Sequence, residues 1–116
     1  MFELSINNIV TVSRGDSFEC PLFINQGTNI SPVRYEISGD EYVLFAIERP
    51  NQPFECAAVR KKFTEQDKNK NGDVVVKITS KDTRNLCPGD YFYEIKAYLK
   101  DGGVNTIVEK TKFIIL

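Results

Sequence analysis

The sequence predicts an all-β fold, and three observations carry that prediction. Apolar residues recur with a period of two along most of the chain, and almost nowhere with the period of a helix. Clusters of Gly, Pro, Asn, Asp and Ser interrupt that pattern roughly every 8–12 residues. About eight short strands result, a count that suits a sandwich or a barrel.

The elements follow in order. Phe2, Leu4 and Ile6 alternate, and Ile9-Val10-Thr11-Val12 runs to a turn at Ser13-Arg14-Gly15-Asp16. Phe18, Cys20, Leu22 and Ile24 then share one face of a strand. Pro21 lacks a donor N–H, which predicts an edge strand or a bulge. Asn25-Gln26-Gly27-Thr28-Asn29 reads as a loop by composition. Val33, Tyr35 and Ile37 alternate again, and Ser38-Gly39-Asp40-Glu41 turns the chain.

Tyr42 to Glu48 is apolar on both faces, as expected of a central strand. Arg49-Pro50-Asn51-Gln52-Pro53 breaks it, and Phe54 to Phe63 reads as a further strand whose exposed end is marked by Arg60-Lys61-Lys62. A polar run from Thr64 to Asp73 precedes the alternation of Val74, Val76 and Ile78. Ser80 to Leu86 is the one helical candidate, a single turn opened by serine or aspartate at its N-cap. Pro88-Gly89-Asp90 leads into the clearest strand, with Tyr91, Tyr93, Ile95, Ala97 and Leu99 on one face. Phe92, Glu94, Lys96, Tyr98 and Lys100 take the other. Asp101-Gly102-Gly103 makes a tight hairpin, and Val104 to Leu116 returns as the last strand.

With 116 residues the chain has room for one core, so residues 1–116 are expected to form a single domain. Lys and Arg total 15 against 16 Asp and Glu, a net charge of −1. That balance gives no electrostatic footprint for nucleic acid or an anionic membrane. The N-terminus lacks the basic and apolar regions of a signal peptide, and no apolar stretch is long enough to span a bilayer. Synthesis in the cytoplasm as a soluble protein is the expectation.

Cys20, Cys56 and Cys87 are odd in number and lack C-x-x-C spacing. This argues against a disulfide framework and a zinc site, and favours small apolar residues in or near a core. Histidine is absent, which removes the commonest general base and the commonest transition-metal ligand. Serine, threonine and cysteine therefore have no histidine to activate them. No cofactor, metal or catalytic activity is expected.

Two motifs have simpler explanations. Asp67-Lys68-Asn69-Lys70-Asn71-Gly72-Asp73 reads as the first half of an EF-hand calcium loop. Its ninth position is Val75, and its twelfth is Ile78 where a bidentate glutamate is needed. A polar hairpin turning at Asn71-Gly72 explains the same residues. Arg14-Gly15-Asp16 spells an integrin-binding tripeptide, but it also fills a turn between strands.

The remaining signal is surface. Phe92 and Tyr98 share a face with Glu94 and Lys96, and aromatics among charges are enriched at protein–protein interfaces. A second sheet or the N-terminal strand covering them is the competing explanation.

Leu86-Cys87-Pro88-Gly89-Asp90-Tyr91 resembles the turn into strand F of immunoglobulin and fibronectin-type sandwiches, where a tyrosine pins the corner. The resemblance implies structural roles for Pro88, Gly89 and Tyr91, with the Tyr91 hydroxyl bonded to backbone. The immunoglobulin disulfide is not matched, because its second cysteine would fall at Tyr93.

Across its length the chain resembles small domains of phages and prophages of Gram-positive bacteria, similar to the N-terminal domain of the baseplate upper protein. The matching pieces are Arg14-Gly15-Asp16-Ser17-Phe18, Tyr35 through Gly39-Asp40 into Val43-Leu44-Phe45, and Asp82-Thr83 with Leu86. Pro88 to Glu94 and the closing hairpin through Gly103 to Ile107 complete them. The resemblance implies an immunoglobulin-like antiparallel β-sandwich. It also implies a non-enzymatic virion protein, in the baseplate, at a tail-fibre junction or decorating a capsid. Other virion proteins or further copies of the chain are the expected partners. Those baseplate proteins continue beyond this domain, so a chain ending at Leu116 is expected to be a decoration or adaptor subunit. The alternative is a carbohydrate- or surface-adhesion module stacking sugars on Tyr35, Tyr42 or Tyr98.

Overall fold

The computed structural model describes residues 9–22, 24–27 and 32–116. Nine strands are described: β1 (Val10–Val12), β2 (Phe18–Leu22), β3 (Asn25–Gly27), β4 (Pro32–Arg34), β5 (Tyr42–Glu48), β6 (Val59–Phe63), β7 (Val74–Ile78), β8 (Gly89–Tyr98) and β9 (Val104–Ile115). One short helix, α1 (Ser80–Arg84), joins β7 to β8. The protein is thus mostly β, with one curled five-stranded sheet in the order β1-β9-β8-β5-β6. β1 runs parallel to β9, with Val10 opposite Phe113, and the other pairs are antiparallel. β2 pairs with β7, and β3 with β4.

Alternation sends one face of β8 inward. Tyr91, Tyr93, Ile95 and Ala97 are buried there, while Phe92, Glu94, Lys96 and Tyr98 stay half-buried on the other side. Val43, Phe45 and Ile47 of β5 meet them across the ladder. Phe45, Tyr93 and Phe113 form an aromatic centre with ring centroids 5.8 to 6.5 Å apart. The β2–β7 pair supplies Cys20, Leu22, Val74, Val76 and Ile78 to the same cluster, so the core lies between the two sheets. Truncating Phe113 to alanine is expected to cost roughly 3–5 kcal/mol.

Hydrogen bonds at the ends of strands tie the layers together. The Tyr91 hydroxyl donates to the Cys87 carbonyl at 2.8 Å. Gly89 beside it has φ of +146°, a conformation that side-chain-bearing residues rarely adopt. In α1 the cap is Thr79: its hydroxyl oxygen accepts from the Asp82 N–H, and the Asp82 carboxylate accepts from the Thr79 N–H. Lys61 of β6 adds an ion pair to Asp82 at 3.1 Å. Burial raises the Asp82 pKa, but the bonds from Thr79 and Lys61 outweigh it and leave a net lowering.

Several expectations need correction. The loop expected at 25–29 contains β3, which pairs antiparallel with β4. Tyr35 and Ile37 lie beyond β4, although the Tyr35 N–H bonds the Ile24 carbonyl at 2.9 Å. The strand expected from Phe54 begins instead as a 3-10 turn, Phe54–Cys56, and β6 starts only at Val59. The helix N-cap is Thr79, rather than Ser80 or an aspartate. The 67–73 segment, by contrast, closes as the polar hairpin loop expected of it: Lys68 and Val74 form an antiparallel bridge around the turn, and the Asn69 N–H bonds the Asp73 carbonyl at 2.8 Å. Cys20 is buried, but Cys56 and Cys87 are exposed, and all three stand outside any disulfide. Pro21 sits in β2, for which β7 is the one partner among the described residues, an edge position. The alternation at 2–6 lies outside the described residues. No helix among the described residues is long and apolar enough to cross a membrane.

Candidate functional site

The outward face of the five-stranded sheet gathers the aromatic and charged side chains, and cross-strand register explains which ones meet. Phe92, Glu94, Lys96 and Tyr98 of β8 stand opposite Glu48, Ala46, Leu44 and Tyr42 of β5. Arg60 and Lys62 of β6 stand opposite Ala46 and Leu44. Tyr42 and Tyr98 stack with centroids 4.8 Å apart and planes 11° from parallel. Lys62 sits over the Tyr42 ring at 4.3 Å, arriving from the strand on the other side of β5. Beside this pair Val104 is 52% exposed, opposite Tyr98 on β9. Lys100 lies past the end of β8 at Tyr98, and its backbone N–H bonds the Glu41 carboxylate at 3.3 Å.

The middle of the face is roofed. Asn51 takes a positive φ of 65° in the turn after β5, and the Phe54–Cys56 turn folds back over the sheet. Phe54 becomes buried, with Lys96 4.4 Å and Arg60 5.5 Å from its ring centroid. This explains why β5 looks apolar on both faces. Among the described residues, the roof over Ala46 and Glu48 comes from the chain's own 49–57 segment; the N-terminal alternation at 2–6, the other cover expected for this face, lies outside the described residues.

Glu48 lies under that roof, 1% exposed. Burial first, then the charge of Glu94 and a hydrogen bond with it, push its carboxyl up to about 7. Lys110 opposes the rise, with Nζ 3.7 Å from Glu48 Oε2. Between Tyr93 and Ile95 the β8–β9 register slips, as Tyr93 faces Thr111 but Ile95 faces Val108. The extra residue on β9 is a bulge, a feature that re-aims side chains. Lys110 lies in that stretch and also reaches the Phe92 ring at 5.6 Å and the Gln52 carbonyl at 3.2 Å. Sequence reading placed Phe92, Glu94, Lys96 and Tyr98 on one face and named Tyr42 only as a sugar-stacking candidate; it missed Glu48, Phe54, Lys62 and Lys110. Only the pairing of strands brings these together.

The other motifs are occupied with structure. The Thr83 hydroxyl donates to the Asp16 carbonyl at 2.6 Å and accepts from the Gly15 N–H at 3.1 Å. Arg14 Nε donates to the Arg84 carbonyl at 3.0 Å, so the Arg14-Gly15-Asp16 turn is fastened to α1. In the calcium-like loop, Asp67 accepts from the Thr64 N–H at 2.7 Å. Asn69 Oδ1 accepts from the N–H groups of Asn71 and Asp73, at 2.9 and 3.1 Å. One carboxylate oxygen of Asp67 and the amide oxygen of Asn69 thus face backbone N–H groups.

Tyr35 donates its hydroxyl to the buried Glu41 carboxylate, which also accepts from the Ser38 N–H at 3.0 Å. Burial raises the Glu41 pKa, but the hydrogen bonds from Tyr35, Ser38 and Lys100 outweigh it, and the net direction is down. The same bond, ahead of burial, lifts Tyr35 to about 12.

In comparison with known proteins, the chain matches no family model, no curated protein and no solved structure.

Proposed function

We propose that this chain is a non-enzymatic assembly subunit of a tailed-phage virion, an immunoglobulin-like sandwich that binds its neighbours through the outward face of the five-stranded sheet. The observation that carries the reading is the half-exposed patch of Tyr42, Tyr98, Lys62 and Val104, continued by Phe92 and Lys96. Aromatic rings held rigid by stacking and flanked by cations give contact area at small entropic cost, the composition that interfaces favour.

Support for the sandwich comes from strand order. Neighbours β9-β8-β5-β6 on one side and β2-β7 on the other follow the G-F-C-C′ and B-E arrangement of variable-type immunoglobulin domains. Tyr91 at the start of β8 bonds backbone four residues upstream, as a tyrosine corner does. The assignment to a phage particle draws on the sequence resemblance.

The adhesion alternative has less support. Tyr42 and Tyr98 stack on each other, Lys62 sits over the Tyr42 ring, and the Tyr35 hydroxyl bonds Glu41, so all three candidate stacking tyrosines are engaged within the chain.

The test is light scattering of the purified chain together with mass spectrometry of particles from the strain that encodes it. The reading expects an oligomer or a particle-associated chain. A monomer that is absent from particles overturns it.

A further inference from the structure

The strand order of the five-stranded sheet ends at β6, and among the described residues nothing pairs with its outer side. In an antiparallel pair alternate residues turn their N–H and C=O groups away from the partner, so β6 presents a row of free main-chain donors and acceptors. An open cleft of about 300 Å³ lies along this edge, between β6 and α1, lined by Ala58, Val59, Lys61, Asp82 and Leu86 with Arg49 and Arg60 at its rim. That volume is at the lower end for a ligand pocket and suits one or two side chains.

Charge selects the occupant. Lys61 and Asp82 neutralise each other at 3.1 Å, which leaves exposed Arg49 and Arg60 on the cleft and exposed Lys62 on the strand. A second copy is the wrong partner. Antiparallel self-pairing centred on Lys61 would set Arg60 against Lys62 and Lys61 against itself, and like charges directly opposite are destabilising. An acidic strand meets the opposite situation at the same positions.

We propose that the free side of β6, with the cleft beside it, takes up an extended acidic segment of a partner protein as a sixth strand of the sheet. Main-chain bonds to β6 supply the affinity and alternate side chains of the segment enter the cleft, the mode known as β-augmentation. The inference shares with the functional reading the premise that the chain binds proteins; its site is the edge of β6 and the cleft, although Arg60 and Lys62 also reach the outward face, over the Phe54 and Tyr42 rings.

The experiment titrates the full chain with a synthetic six-residue peptide alternating glutamate and valine, observed by amide NMR and hydrogen exchange. A lysine–valine peptide and two N-methylated glutamate–valine peptides, blocking odd or even amides, serve as comparisons. The expected result is shifts and exchange protection centred on residues 59–63 with the acidic peptide and none with the basic one. One N-methylated peptide should bind and the other fail, because only one edge of the added strand pairs. Arg49→Glu combined with Arg60→Glu should weaken binding by roughly tenfold. Phe92→Glu with Tyr98→Glu should leave it unchanged, which separates this site from the outward face. Equal binding of both N-methylated peptides, or shifts confined to Phe92 and Tyr98, overturns the proposal.

Discussion

Lys110 on β9 holds its ammonium 3.7 Å from the carboxylate of Glu48 on β5, reaching across the whole width of β8. The contact exists because a bulge re-aims β9 and because the 49–57 segment closes over Glu48. Glu94 stands on the intervening strand, so a buried acid faces one cation and one further acid. That balance gives the outward face a titrating group near neutral pH.

The first prediction concerns pH. Glu48 titrates at about 7 when folded, against 4.5 ordinarily, so between these values the folded chain binds more protons than the unfolded one. The stability it contributes is therefore complete below 4.5 and is lost as pH rises to 7, at most roughly 3.5 kcal/mol at 1.4 kcal/mol per unit. Glu48→Gln should remove this loss, so that variant and parent differ least in acid, draw apart between pH 4.5 and 7 and keep a constant gap above that. Urea unfolding across that range checks it; parallel profiles contradict it.

Tyr91→Phe deletes only the hydroxyl that donates to Cys87. A destabilisation of about 1 kcal/mol is expected, the usual worth of one such bond. An unchanged denaturation midpoint contradicts the structural role given to this corner.

Thr83→Val keeps the shape of a buried side chain while leaving the Gly15 N–H without its acceptor. The expected cost is about 1–2 kcal/mol. The same fastening predicts no integrin binding by Arg14-Gly15-Asp16 in the folded chain, which a solid-phase binding assay checks.

Calcium should leave the thermal midpoint unmoved, because the Asp67 carboxylate accepts from the Thr64 N–H, Asn69 Oδ1 accepts from those of Asn71 and Asp73, and the twelfth position of the loop is Ile78. A rise that saturates with added calcium contradicts this.

Much of the fold was legible in the sequence, and the misses have physical causes. β8 announced itself because every second residue is apolar and only one face is buried. Phe54-Glu55-Cys56-Ala57 carries the same alternation, yet the roof over β5 needs a tight turn there; local pattern cannot foresee that tertiary demand. Asn25-Gln26-Gly27 pairs through main-chain groups, which composition does not reveal. The Thr79 cap was readable from Thr79 and Asp82 three residues apart, and the adjacent Ser80 obscured it. Of the candidate site, the β8 residues were visible as a face. Tyr42, Glu48 and Lys110 acquire their roles from register and a bulge, which no single segment encodes.

The most direct test of the outward face is incorporation of Phe92→Glu/Tyr98→Glu into particles from the encoding strain, with circular dichroism confirming the folded sheet. The account predicts that the folded variant is lost from purified particles while the parent is retained. Undiminished incorporation of the variant would contradict it.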